Sequence, residues 1–109
     1  MKTGVIGIGN IGSEVARNLA RARLLKRIWN RTRIKAERLG AELDISISGS
    51  PKSLARECEL VIISVSADQD LLDVVKMMLP ELKSGKTIVD ISTTSVETAR
   101  LAAKLIEET

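Results

Sequence analysis

The chain has 109 residues, enough for one domain with an ordinary hydrophobic core. At 44% hydrophobic and 28% charged it is composed like a globular domain rather than a disordered one, and its apolar runs are too short to span a bilayer. Net charge is +3, there is no histidine, and the single cysteine, Cys58, excludes an internal disulfide; a reducing, cytoplasmic setting without a metal site is expected.

The elements alternate from the first residues onward. "KTGVIGIG" (2–9) is apolar and ends in glycine, as a strand feeding a turn. It follows the initiating Met directly, so no targeting segment is expected there. "NIGSEVARNLARA" (10–22) sets Ile11, Val15 and Leu19 four residues apart, with Ala16 and Ala20 beside them, as one apolar stripe on a helix. "LKRIWN" (25–30) is a short second strand, and "RIKAERLG" (33–40) a helix with Gly40 as its natural stop. "DISIS" (44–48) is a weak third strand. "SPKSLAREC" (50–58) opens with Ser50 as N-cap and Pro51 at the first helical position.

"ELVIISV" (59–65) is an almost unbroken β-branched run, typical of a strand covered on both faces. "DQDLLDVVKMMLPEL" (68–82) is helical, with Pro80 expected to break or end it. Its acidic cluster, Asp68, Asp70 and Asp73, suits the positive end of a helix dipole better than a metal. "GKTIVDIS" (85–92) is a fifth strand. "SVETARLAAKLIEE" (95–108) is a last helix begun by Thr94 or Ser95, and Thr94 with Glu97 has capping-box spacing. Cys58 and Trp29 are expected in the core.

Strand–helix alternation repeated five times predicts an α/β domain, a doubly wound parallel sheet with helices on both faces. Its expected strand order is 3-2-1-4-5, with 2-1-3-4-5 as the rival. Gly7, Gly9 and Gly12 decide for the first. They follow a strand and open a helix in the spacing G-x-G-x-x-G, the Rossmann-type dinucleotide fingerprint. Gly7 allows the tight turn, Gly9 lets a pyrophosphate approach the backbone, and Gly12 lets the helix pack close to the strands. The free N–H groups at that helix start would hold the phosphates.

The end of the second strand reads the adenosine ribose. An NAD binder carries Asp or Glu about twenty residues past the glycines. Here the position is Asn30, followed by Arg31, Thr32 and Arg33, and no carboxylate comes before Glu37. A neutral Asn with a following Arg fork suits a ribose bearing a 2′-phosphate, so NADP is expected in preference to NAD. Nine of the 17 Lys and Arg residues fall between Arg17 and Arg38. Most are expected to be solvated helix charges. With no Tyr or Phe to stack bases, nucleic acid is not expected as a partner, nor is a membrane.

"GIGNIGSEVARNL", "WNRT" with "KAERLGA", "ELVIISV" and above all "VDISTTSVETARLAA" resemble the N-terminal domain of the β-hydroxyacid dehydrogenases, the group of 3-hydroxyisobutyrate dehydrogenase, tartronate semialdehyde reductase and 6-phosphogluconate dehydrogenase. The resemblance implies that Gly7, Ile8, Gly9, Asn10, Ile11 and Gly12 lie under the pyrophosphate. It brings Asn30, Arg31 and Thr32 to the adenosine ribose and its phosphate. Val65 and Ser66 would line the adenine and nicotinamide side. Thr93 would sit near the nicotinamide ribose, and Ser92 and Thr93 would border a substrate. Val96 stands where the family usually has proline.

The family's catalytic Lys, the Asn one turn beyond it and its glycine-rich substrate loop match no position in this sequence. The chain is therefore expected to be a cofactor domain, 1–109, without a catalytic C-terminal domain and inactive alone. A small β-hydroxy acid or its aldehyde would be met only with that domain present. A non-catalytic dinucleotide-binding module is the alternative, and a pyrroline-5-carboxylate reductase-like or prephenate dehydrogenase-like reductase a further one, against which "DISTTS" argues. An unprotected "TIVDIS" edge and the apolar side of the last helix lead to an expected homo-oligomer.

Overall fold

All four residues of β1 (Thr3–Ile6) are buried in the computed structural model, which describes residues 1–83 and 85–108. The strand pairs in parallel with β2 (Leu25–Trp29) on one side and with β3 (Leu60–Ile63) on the other. β4 (Thr87–Asp90) extends the sheet in parallel beyond β3, giving the order β2-β1-β3-β4. The chain leaves β1 toward β2 and returns to the opposite side of β1 for β3. The strand order thus reverses between β1 and β3, the crevice where open α/β sheets bind ligands.

Alternation along the strands builds one core on each face. Val5 and Ile28 face α1 (Asn10–Arg21) and α2 (Arg33–Leu43), packing with Ala16, Ala36 and Leu39. Ile6, Val61 and Ile63 point the other way. There they meet Leu54 of α3 (Pro51–Glu57), Leu71, Val75 and Met78 of α4 (Asp68–Met78), and Ala102 of α5 (Val96–Glu107). Truncating a fully buried residue such as Leu54 to Ala costs about 2–5 kcal/mol in cores of this kind.

The start signals act as expected in α3, where the Ser50 hydroxyl accepts from the Ser53 N–H at 3.1 Å and Pro51 sits at the first turn. Pro80 falls just past α4, in a short 3-10 turn at Leu79–Glu81. At α5 the cap is Ser95, whose hydroxyl accepts from the Thr98 N–H at 3.1 Å, so the expected Thr94–Glu97 pairing is not the one used.

Two expectations are corrected. The described sheet has four strands, not five: residues 44–48 contribute one parallel bridge, Ile47 to Ile28, with the Ser48 N–H donating to the Ile28 carbonyl at 2.9 Å. The bridge lies outside β2, where the third strand of the order 3-2-1-4-5 belongs. The cause is α2, which runs through Gly40 to Leu43 instead of stopping there. Asp44 ends it in the left-handed region at φ 55°, a conformation Asp tolerates better than most residues. Too little chain then remains before Ser50 to build a ladder. Gly40 serves close packing instead, since a Cβ there would come within 2.7 Å of the Ile45 carbonyl oxygen. Among the described residues no helix is long and apolar enough to cross a membrane.

Candidate functional site

At the carboxyl ends of β1 and β3 the three glycines do different work. Gly7 turns the chain at φ 89°, and a Cβ on it would come within 2.0 Å of the Ser64 carbonyl oxygen. A Cβ on Gly12 would come within 1.9 Å of the Gly7 oxygen, so glycine at both positions lets helix, turn and strand approach. Gly9 differs, because a Cβ there would meet nothing within 4 Å. Its bareness is not required by the protein's own packing. It leaves the backbone open toward the cleft.

The start of α1 is equally open. Gly9 precedes it without a side-chain cap, and the N–H groups of Gly9, Asn10, Ile11 and Gly12 make no hydrogen bond among the described residues. Four unpaired donors at the positive end of a twelve-residue helix form an anion cradle. No acidic residue lies in the first turn to fill it. The turn itself is braced from both sides. The Gly7 N–H donates to the Trp29 carbonyl at 2.9 Å, the Ser13 hydroxyl donates to the Ile8 carbonyl at 2.6 Å, and the Ile8 N–H donates to Asn30 Oδ1 at 3.1 Å.

Asn30 therefore ties the glycine turn to the loop after β2, its Nδ2 donating onward to the Thr32 carbonyl at 3.1 Å. A carboxylate could not make the second bond, having no N–H to give. Arg31 stands at the edge of the cleft, 78% exposed, with its Nη1 at 2.5 Å from Asp70 Oδ1. Arg33 instead pairs with Glu37 one turn along α2, at 2.8 Å.

The opposite wall comes from the segment after β4. Asp90 accepts from the Ser92 N–H at 2.9 Å. The Ser92 hydroxyl accepts from the Val65 N–H at 2.9 Å and reaches the Ile63 carbonyl at 3.3 Å, while the Thr93 N–H donates to the Val65 carbonyl at 3.1 Å. These bonds lock "D-x-S-T" onto the end of β3 and hold Val65 and Thr93 at the cleft. The Ser92 hydroxyl is occupied by this bracing.

The result is a cavity of 560 Å³ along the carboxyl edge of the sheet. Of the residues the sequence points to, Gly7, Gly9, Asn10, Ile11, Asn30, Arg31, Thr32, Val65, Ser66 and Thr93 line it. Ile8, Gly12 and Ser92 do not; they shape the turn and the wall from behind. Trp29, expected in the core, both packs against it and lines the cavity. Lys35, Asp70, Asp73, Val74 and Met77 also line it without having been singled out for this role. The acids of α4 carried a signal, since they open the helix that follows the switch-point strand.

Two groups outside the cavity complete the picture. The Asp68 carboxylate accepts from the Ser95 N–H at 2.9 Å, which holds its pKa below the ordinary carboxylate value and joins α4 to the start of α5. Cys58 is fully buried, and burial, helped by the Glu57 charge, pushes its thiol up to about 11. It is a packing residue, inert near neutral pH.

Sheet order, glycine turn and open helix start define a Rossmann-type dinucleotide-binding domain. Residues 2–109 match the family model described as the NAD binding domain of 6-phosphogluconate dehydrogenase, and the chain belongs to that family. It is 31% identical over 109 residues to glyoxylate/succinic semialdehyde reductase 2 of Arabidopsis thaliana, covering 97% of this chain and 30% of that protein. An imine reductase from Pseudomonas sp. superposes with a TM-score of 0.86 at 28% identity, over 98% of this chain and 37% of that one. 3-Hydroxyisobutyrate dehydrogenase of Mycobacterium tuberculosis shares the fold, with a TM-score of 0.89 at 22% identity over 98% of this chain and 36% of that one. The chain spans about a third of the length of the curated relatives it matches.

Proposed function

We propose that this chain is the cofactor-holding part of an oxidoreductase and that it takes NADP in preference to NAD. The observation that carries the preference is Arg31 at the cleft edge, two residues past the end of β2 and next to Asn30, which stands where an NAD binder offers a carboxylate. In this reading the unpaired N–H groups of Gly9 to Gly12 hold the pyrophosphate. Arg31 grips the 2′-phosphate, with Thr32 and Lys35 lining the same corner, and Val65, Ser66 and Thr93 flank the nicotinamide half. Asn30 works mainly by fixing the glycine turn against the ribose loop.

The bound nicotinamide supplies the hydride chemistry. This chain's residues bind and orient it; Thr93 borders the reacting side while the Ser92 hydroxyl braces the wall from behind, and neither hydroxyl is a general acid near neutral pH. The acid–base group and the substrate pocket are assigned in this reading to a further segment, the relatives it matches being about three times its length. A small β-hydroxy acid or its aldehyde is the proposed substrate class. Self-association is part of the same reading, since β4 forms a sheet edge with Val89 exposed and Val96 and Leu101 of α5 stand uncovered.

Calorimetric titration of NADP and NAD against the parent chain and Arg31→Asp tests the cofactor assignment. A charge-assisted bond of about 1.5–3 kcal/mol corresponds to a loss of roughly ten- to a hundredfold for NADP. NAD affinity is expected to stay nearly constant. Equal weakening of both nucleotides refutes the role given to Arg31.

A further inference from the structure

The carboxylate missing from the end of β2 is delivered to the same corner by another element. Asp70, in the first turn of α4, reaches across the mouth of the cleft to Arg31, 39 residues earlier in the chain. Both residues line the cavity. Asp70 is the more sheltered partner, its side chain 25% exposed against 78% for Arg31. The neighbouring acid, Asp73, does not take part; it accepts from Gln69 Nε2 at 2.7 Å within α4. The guanidinium proposed to read the 2′ position is therefore already engaged before any nucleotide arrives.

We infer that Asp70 is a specificity-determining residue of the cofactor site, competing with the 2′-phosphate of NADP for Arg31. The inference rests on the assignment of Arg31 to that phosphate. An ion pair this exposed is weak, so a phosphate displaces it at small cost. Displacement does not remove Asp70. Its carboxylate stays beside the guanidinium, and so beside whatever anion the guanidinium holds, where like charge acts against a 2′-phosphate. With NAD the conflict vanishes. Arg31 keeps its partner, and the carboxylate is an acceptor that a 2′-hydroxyl can use in place of the one β2 lacks.

Asp70 thus narrows the preference that Arg31 creates. It moderates NADP binding without blocking it and preserves a usable affinity for NAD. The Arg31–Asp70 pair sets a cation from the loop after β2 against an anion from α4 on the opposite side of the cleft. Its setting depends on how closely α4 approaches the loop after β2.

The test is a double-mutant comparison in which NADP and NAD are titrated against the parent chain, Asp70→Asn, Arg31→Ala and the double variant, in low salt. Asp70→Asn is expected to tighten NADP by about two- to fivefold, the range an exposed ion pair represents, and to leave NAD unchanged or weaker. Asp70→Ser, which removes the charge with a different shape, must move the ratio in the same direction, and thermal melts verify that each variant folds. The gain is expected to shrink in the Arg31→Ala background and to fade as salt rises. An unchanged or lowered NADP-to-NAD ratio in Asp70→Asn overturns the inference, even where Arg31→Ala weakens NADP alone and so upholds the assignment of Arg31. If Arg31→Ala weakens both nucleotides equally, the assignment itself fails and the role of Asp70 falls with it.

Discussion

Gly9→Ala and Gly12→Ala add the same methyl group three residues apart and are expected to have opposite effects. At Gly12 the new Cβ would lie 1.9 Å from the Gly7 carbonyl oxygen, a backbone atom that cannot rotate away. Relief requires α1 to lift from the end of β1, where Ala16 and Val5 share a core. Overpacking of this kind costs about 1–3 kcal/mol or more. The better helix propensity of Ala returns only about 1 kcal/mol of that. A 1.9 Å contact with a backbone atom puts the cost at the upper end, about 2–3 kcal/mol. For a domain of this size the net loss of about 1–2 kcal/mol lowers the melting temperature by roughly 4–16 °C. At Gly9 the Cβ meets no protein atom within 4 Å, and the backbone, at φ −64°, already suits an L-residue. The substitution is expected to leave stability unchanged or raise it by about 0.4–1 kcal/mol through the unfolded chain. Its methyl group nevertheless occupies the place where a pyrophosphate would approach, and NADP affinity should fall by at least about tenfold, roughly 1.4 kcal/mol. Thermal melts and nucleotide titrations on both variants separate the effects. Undiminished NADP binding by Gly9→Ala would show that the open turn is not the phosphate site, and an unshifted melt for Gly12→Ala would contradict the packing argument.

The Lys86 ammonium donates to the carbonyls of Ala55 at 2.6 Å, Cys58 at 2.7 Å and Arg56 at 3.2 Å, closing the end of α3. Lys86→Met keeps the stem and removes the donors, so urea unfolding should report a loss of about 1–3 kcal/mol; an unchanged midpoint would mean that water replaces the ammonium without cost. The depressed pKa of Asp68 gives the folded state an advantage that is complete above the ordinary 3.8 and is lost as pH falls through the lower folded value. Asp68→Ala should therefore flatten the acid limb of a melting-temperature profile below about pH 4, and a limb as steep as the parent's would place the acid sensitivity elsewhere.

Much of this protein is written locally. The β-branched run at 61–63, the Ser50–Pro51 start and the stripe of Val15 and Leu19 each specify an element through neighbours a few positions away, whereas Ile11, expected in the same stripe, is exposed at the cleft. The glycine turn is legible for the same reason, because Gly7 and Gly12 are required by contacts that the strand–turn–helix geometry always makes. What the sequence could not give was decided by distances between elements. The third strand dwindled to a bridge at Ile47 because α2 found packing for Gly40 against Ile45 and ran on to Leu43. Asn30 read as a ribose contact, yet its amide is used to join two loops, a role visible only once β1 and β2 lie side by side. Asp70 read as a dipole acid. Its place opposite Arg31 depends on the parallel register of three strands, and neither side chain carries any trace of that register in its own surroundings along the chain.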